Sequence, residues 1–237
     1  MFNENLGDMD AKTLMDYYKN VVQKEENIND GLGLITNPNA QKGGILLVGM
    51  NPSGSGQDVY DYHRDCHNDF WEPKHKMMGK YDQKCGYIDL LPVRGGNQNK
   101  VHLDNDIKNR YHGKLLAFTR DYIEDLCPRL IILANLTAQY YWGFDKDYPW
   151  MGYSFEEIES PLDGERKRWS LYRITGINPT GVNRNVTTTN LKERTYFLQY
   201  RQHNAKGKVV SPSQELHFED IQTIARFIDP EWEKTLY

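Results

Sequence analysis

The 237-residue sequence predicts an α/β protein: three α/β/α layers with a central, mainly parallel four-stranded sheet. Three observations predict it. Ile45-Leu46-Leu47-Val48 is an unbroken apolar run, as expected of a strand buried on both faces. Comparable short runs recur at Tyr87–Leu91, Arg129–Ala134 and Trp169–Thr175. The intervening stretches space their apolar residues at helical intervals.

Taken in order, residues 10–28 read as an amphipathic helix, with Leu14, Met15, Tyr18, Val21 and Val22 on one side. Gly31-Leu32-Gly33 and Asn37-Pro38-Asn39 close it. The first strand, Ile45–Met50, stops at Asn51-Pro52-Ser53-Gly54-Ser55-Gly56. These small turn-forming residues leave backbone N–H groups open to a ligand. Such a loop lies at the carboxyl edge of a parallel sheet, where open α/β folds hold their ligands. Residues 57–68 read as irregular, and Asn68 or Asp69 can cap a short helix through Phe70, Trp71 and Met77-Met78. The second strand stops at Pro92, and Arg94-Gly95-Gly96-Asn97 follows as a loop.

Leu103–Leu126 carries a helical pattern that Pro128 ends, ahead of the third strand. Asn135 or Thr137 can cap a helix through Tyr141, closed by Gly143. Asp145–Arg168 reads as loop with a β excursion near Tyr153–Ile158. The fourth strand ends in Gly176-Ile177-Asn178-Pro179-Thr180-Gly181. Asn190 is a candidate cap for a helix to Gln202, and a final helix is expected near Glu219–Ile228. The whole of 1–237 reads as one domain, with helical extensions at 1–40 and 190–237.

A net charge of −4 gives no global attraction to nucleic acid, so any such contact needs a local basic patch. Cys66, Cys85 and Cys127 are too few and scattered for a disulfide framework, which suits a reducing cytoplasm. The first residues lack the basic start and apolar core of a signal peptide, and no apolar run reaches the ~20 residues of a membrane span. A cytoplasmic monomer is expected.

One feature repeats: two strands end in Gly-apolar-Asn-Pro, at Gly49–Pro52 and Gly176–Pro179. In a parallel sheet both loops emerge at the same edge and share one cleft. Gly49-Met50-Asn51-Pro52 with its Ser/Gly loop resembles the first motif of the mismatch-specific uracil/thymine DNA glycosylases. Asn178-Pro179-Thr180-Gly181-Val182-Asn183-Arg184 resembles their second motif, and Asn68-Asp69-Phe70-Trp71 resembles their Asn-Arg-Phe-Trp. Arg129–Trp142 is similar to their third strand and following helix, so the resemblance spans about 45–184. It implies the uracil-DNA glycosylase fold and removal of uracil or a mismatched pyrimidine from DNA, without cofactor.

That chemistry passes through an oxocarbenium-like sugar and releases the base as an anion. A water must sit beside C1′, and donors must meet the base oxygen. The resemblance makes Asn51 the water-positioning residue and adds Asn178 to the catalytic pair. Met50, Pro52, Ser53, Gly54, Ser55 and Asn68 would receive the base, with a stacking ring from Tyr60, Tyr62 or His63. Thr180, Gly181, Val182, Asn183 and Arg184 would hold DNA, with Gly181–Asn183 as the wedge that keeps the base out of the stack. Ser53 stands where the family has glycine, and His63 stands at its stacking aromatic. Two alternatives use the same loop: a repurposed, inactive member that binds a nucleotide or single-stranded nucleic acid, and a small-molecule N-glycoside hydrolase.

His63, Cys66, His67 and His75 invite a metal reading, but adjacent Cys66 and His67 cannot easily face one ion. They read as polar loop and helix-start residues, and no metal is expected. Asp89, ending the second strand, either faces the cleft or caps the following turn.

Overall fold

The computed structural model describes residues 15–26, 31–52, 59–94, 106–133, 136–144, 150–162, 169–179, 186–200 and 216–236. The chain is mixed α/β with a mainly parallel central sheet. Its elements are a helix α1 at 15–26, β1 (Leu34–Thr36), β2 (Ile45–Gly49), β3 (Val59–Asp61), α2 (Glu72–Met78), β4 (Gly86–Asp89), α3 (Asp106–Leu126), β5 (Leu130–Leu133), β6 (Tyr153–Ile158), β7 (Trp169–Ile177), β8 (Tyr196–Tyr200), α4 (Phe218–Ile228) and α5 (Trp232–Leu236). The middle of α1, Tyr18–Val22, is π-helical.

The main sheet has six strands in the order β4-β2-β5-β8-β7-β6, where four were expected. β4, β2, β5 and β8 run parallel; β7 and β6 are added antiparallel at one side. β1 and β3 form a separate two-stranded parallel pair. The apolar run Ile45–Val48 is fully buried because helices cover both faces of the sheet. Leu46 and Val48 pack with Met15 and Tyr18 of α1 and with Leu115, Leu116 and Ile123 of α3. Ile45 and Leu47 face the other way, toward Met77 and Met78 of α2 and Ile221 and Ile224 of α4.

Two corrections bear on the site. Residues expected as a helix after Asn190 instead contain β8, which lies between β5 and β7. There Phe197 and Leu198 are buried on opposite faces, the pattern of a central strand. The stretch after 190 is therefore helical only in its last part, at α4 and α5; Leu191–Arg194 is a turn, with Glu193 at φ 58°. Residues 31–36 are likewise built into the fold: β1 pairs with β3, and Leu32 bridges to Val93.

The second correction concerns direction. β7 was expected parallel to β2. Both lie in one sheet, but β7 is antiparallel to β8, which is parallel to β5 and hence to β2. Asn51 leaves β2 at the carboxyl edge of the parallel strands, and Asn178 leaves β7 at their amino edge. Periodicity reports burial and not chain direction, so two similar strand endings read alike.

Candidate functional site at the carboxyl edge

The loops after β2 and β4 run side by side. Pairing continues past the strands, with Leu90 N–H donating to Gly49 O at 3.2 Å and Leu91 N–H to Met50 O at 3.0 Å. Buried Thr119 of α3 donates its hydroxyl to Leu90 O at 2.8 Å and fixes this edge against the helix. Asn51 is half-buried, and its Nδ2 donates to Val93 O at 3.2 Å and to Pro52 O at 3.3 Å. Both hydrogens of the amide are thereby committed to the backbone, which fixes the plane of the group. Arg94 closes the second loop: its Nε donates to Leu32 O at 2.8 Å, and its guanidinium lies 5.2 Å from the Tyr60 ring centroid.

Beneath Asn51 lies a buried polar network. Gly49 and Asp89 are register partners on β2 and β4. Asp89 is buried, and its Oδ1 accepts from the Tyr87 hydroxyl at 3.1 Å. Its Oδ2 has no hydrogen-bond partner among the described residues. Burial pushes the carboxyl up to about 7, against the hydrogen bond from Tyr87 and the positive charges of Lys74 and Arg94. Lys74 of α2 is buried too, donates to Phe70 O at 2.8 Å, and lies 3.3 Å over the Phe70 ring. Burial brings its ammonium down to about 8, with Asp89 opposing the shift. A buried carboxyl pushed up to about 7 and a buried amine brought down to about 8, both close to the loop that carries Asn51, are candidates for chemistry.

A Cβ at Gly49 would collide with Asp89 Oδ1 and the Tyr87 hydroxyl, both held in the core. Gly49→Ala is therefore expected to cost about 1–3 kcal/mol, the scale of overpacking. Chemical denaturation reads it; unchanged stability would mean that Asp89 and Tyr87 yield freely.

The predicted residues divide. Met50, Asn51 and Pro52 sit at this edge. Tyr62 does not offer a stacking face: it is fully buried, stacked on Tyr87 at 5.2 Å, with Trp71 against it at 5.8 Å. Its hydroxyl donates to Asp82 Oδ1 at 3.2 Å. An alternating Tyr-x-Tyr beside a polar loop conceals which ring turns inward. His63 packs edge-on against Tyr62, and its Nε2 is 2.9 Å from Asp82 O. Tyr60 keeps a half-buried ring under Arg94. Asn68 is exposed and starts the turn into α2, its Oδ1 accepting from Phe70 N–H at 2.9 Å. Phe70 is 61% exposed, the largest outward aromatic of this segment.

Asn178 is at the opposite edge, its N–H donating to Gly152 O at 2.8 Å and its Nδ2 to Ser154 Oγ at 2.7 Å. It is an anchor for β6 and does not join Asn51 in one cleft. Ser53, Gly54, Ser55, Thr180, Gly181, Val182, Asn183 and Arg184 lie outside the described residues. The burial of Asp89 comes from the pairing of β4 with β2 and leaves no local mark in the sequence, and no motif marks Lys74.

No protein-family model, curated protein or solved structure matches the chain. No helix among the described residues is long and apolar enough to cross a membrane.

Proposed function

We propose that the protein hydrolyses an N-glycosidic bond, as uracil-DNA glycosylases do. Its site is the carboxyl edge of the parallel strands, and its substrate is a base presented in a single strand or a nucleoside. The observation that carries this reading is the Asn51 amide, clamped between the β2 and β4 loops through Val93 O and Pro52 O. A neutral amide held in one plane can orient a water toward C1′ without being a strong base. The departing base needs hydrogen-bond donors as its negative charge develops.

Separation of Asn178 from Asn51 favours an unpaired base over one levered out of a duplex. The wedge expected beside Asn178 follows a strand that ends at the far edge of the sheet. A base in a single strand or a nucleoside spares the cost of unstacking and unpairing that a duplex imposes.

The test is base release from a labelled panel of U·G, U·A, T·G and single-stranded U oligonucleotides, with alkali to reveal abasic sites, alongside free nucleosides. Release from single-stranded U or a nucleoside is expected to exceed release from the duplexes. Preferential release from the mismatched duplexes would restore the duplex reading. Binding without release would make the protein a nucleotide-binding relative, and neither binding nor release would end the proposal.

A further inference from the structure

We propose that His63, His75 and Asp82 form a binding site for one divalent transition metal of the zinc class. The inference is independent of the catalytic reading and concerns side chains outside the Asn51 loop. His63 lies in the turn after β3, His75 on α2, and Asp82 in the 3-10 turn Gly79–Lys84. Their ligand atoms all lie within 4.8 Å of one another.

The hydrogen bonds decide the tautomers. His63 Nε2 is 2.9 Å from the Asp82 carbonyl, and His75 Nε2 is 2.9 Å from the Cys66 carbonyl. A carbonyl can only accept, so both Nε2 atoms carry hydrogen. Asn37 Nδ2, 3.3 Å from His63 Nε2, directs its own hydrogens to Gln83 O and Cys85 O. In the neutral rings both Nδ1 atoms then present lone pairs. They converge on one carboxylate oxygen: Asp82 Oδ2 is 2.9 Å from His75 Nδ1 and 3.4 Å from His63 Nδ1.

Three lone pairs aimed at one point repel unless a positive charge lies among them. Either a proton or a metal ion supplies it. Several features favour the metal. Both imidazoles are anchored through the ring nitrogen that does not face the cluster, the usual outer-shell arrangement of metal-bound histidine. The other Asp82 oxygen is held by the Tyr62 hydroxyl at 3.2 Å, as a ligating carboxylate requires. Metal bonds of about 2.0–2.2 Å in tetrahedral array set ligand atoms roughly 3.3 Å apart, and the two nitrogen–oxygen separations here are 2.9 and 3.4 Å. Two imidazoles and a carboxylate are a donor set suited to zinc, with a water completing four-coordination. The three side chains are 12–16% exposed, shielded yet reachable.

The experiment is titration of chelator-treated full-length protein with Co2+, followed by visible d–d absorption, and Zn2+ competition against a chromogenic chelator. One equivalent should bind, with the intense bands of four-coordinate Co2+. His63→Gln and His75→Gln should abolish the bands, while His67→Ala, whose exposed ring stacks on His75 from outside the triad, should keep them. Tyr62→Phe spares all three ligands and should weaken binding roughly ten- to a hundredfold. It supplies the test if the histidine variants fail to fold. Absence of the bands in wild-type protein, or their survival at full affinity in Tyr62→Phe, overturns the proposal. The first of these outcomes assigns the charge to a proton between His75 and Asp82.

Discussion

Asn51→Ala is expected to lower turnover of the cleaved substrate by two to three decades, with little change in KM. A well-aimed polar group acting in the transition state is worth roughly 2.7–4 kcal/mol. Loss of an interaction made only there lowers kcat and kcat/KM together. Asn51 Nδ2 also ties the β2 loop to Val93 O, so the substitution removes hydrogen bonds worth about 0.5–1.5 kcal/mol each in stability. Denaturation curves separate the two effects. A loss of rate far larger than the loss of stability accounts for would mark Asn51 as catalytic. Unchanged kcat with lowered stability would make it a tie between loops and nothing more. Asn51→Asp is an informative partner, because a carboxylate cannot donate to Val93 O and would face two carbonyls with like polarity.

How far the sequence discloses such a site depends on what each residue's neighbours do. β2 was legible because a strand covered on both faces must be apolar at every position, and Ile45–Val48 is. The start of the site followed, since Asn51-Pro52 can only end that strand. β8 was hidden because Tyr196-Phe197-Leu198-Gln199-Tyr200 is short and follows Asn190 at the distance of a capped helix. Its central place comes from pairing with β5 and β7, which are remote in sequence. The direction of β7 leaves no local trace, and the repeated Gly-x-Asn-Pro therefore suggested a convergence that the topology does not make. The triad near α2 was half legible. His63 and His75 were visible, but Asp82 joins them only through the 3-10 turn that follows α2. Cys66 contributes its carbonyl and not its thiol.

Asp89→Asn is expected to remove a fall in stability of roughly 4 kcal/mol that the wild-type protein undergoes between about pH 4 and pH 7. The sign follows from where the proton sits. The buried carboxyl is pushed up to about 7 in the folded chain, above the value near 3.8 that it has when exposed. Below both values each state holds the proton, and Asp89 gives stability no pH dependence. Between them the unfolded chain has released it while the folded chain retains it, so stability drops by about 1.4 kcal/mol per pH unit. Above 7 both have lost it and the deficit is constant. Asn is neutral throughout, keeps an acceptor for the Tyr87 hydroxyl, and should flatten that limb, leaving the variant more stable than wild type at pH 8 and similar near pH 4. Lys74, brought down to about 8, acts only above that pH and in the opposite sense, since its folded form loses the proton first. Urea denaturation of both proteins from pH 4 to 8 tests the expectation. If Asp89→Asn is instead the less stable protein at pH 8, the carboxylate is held there by a cation, and Lys74 is its partner. A carboxyl that weakens the fold at neutral pH, one strand from Asn51, is the kind of cost that a working site imposes on its scaffold.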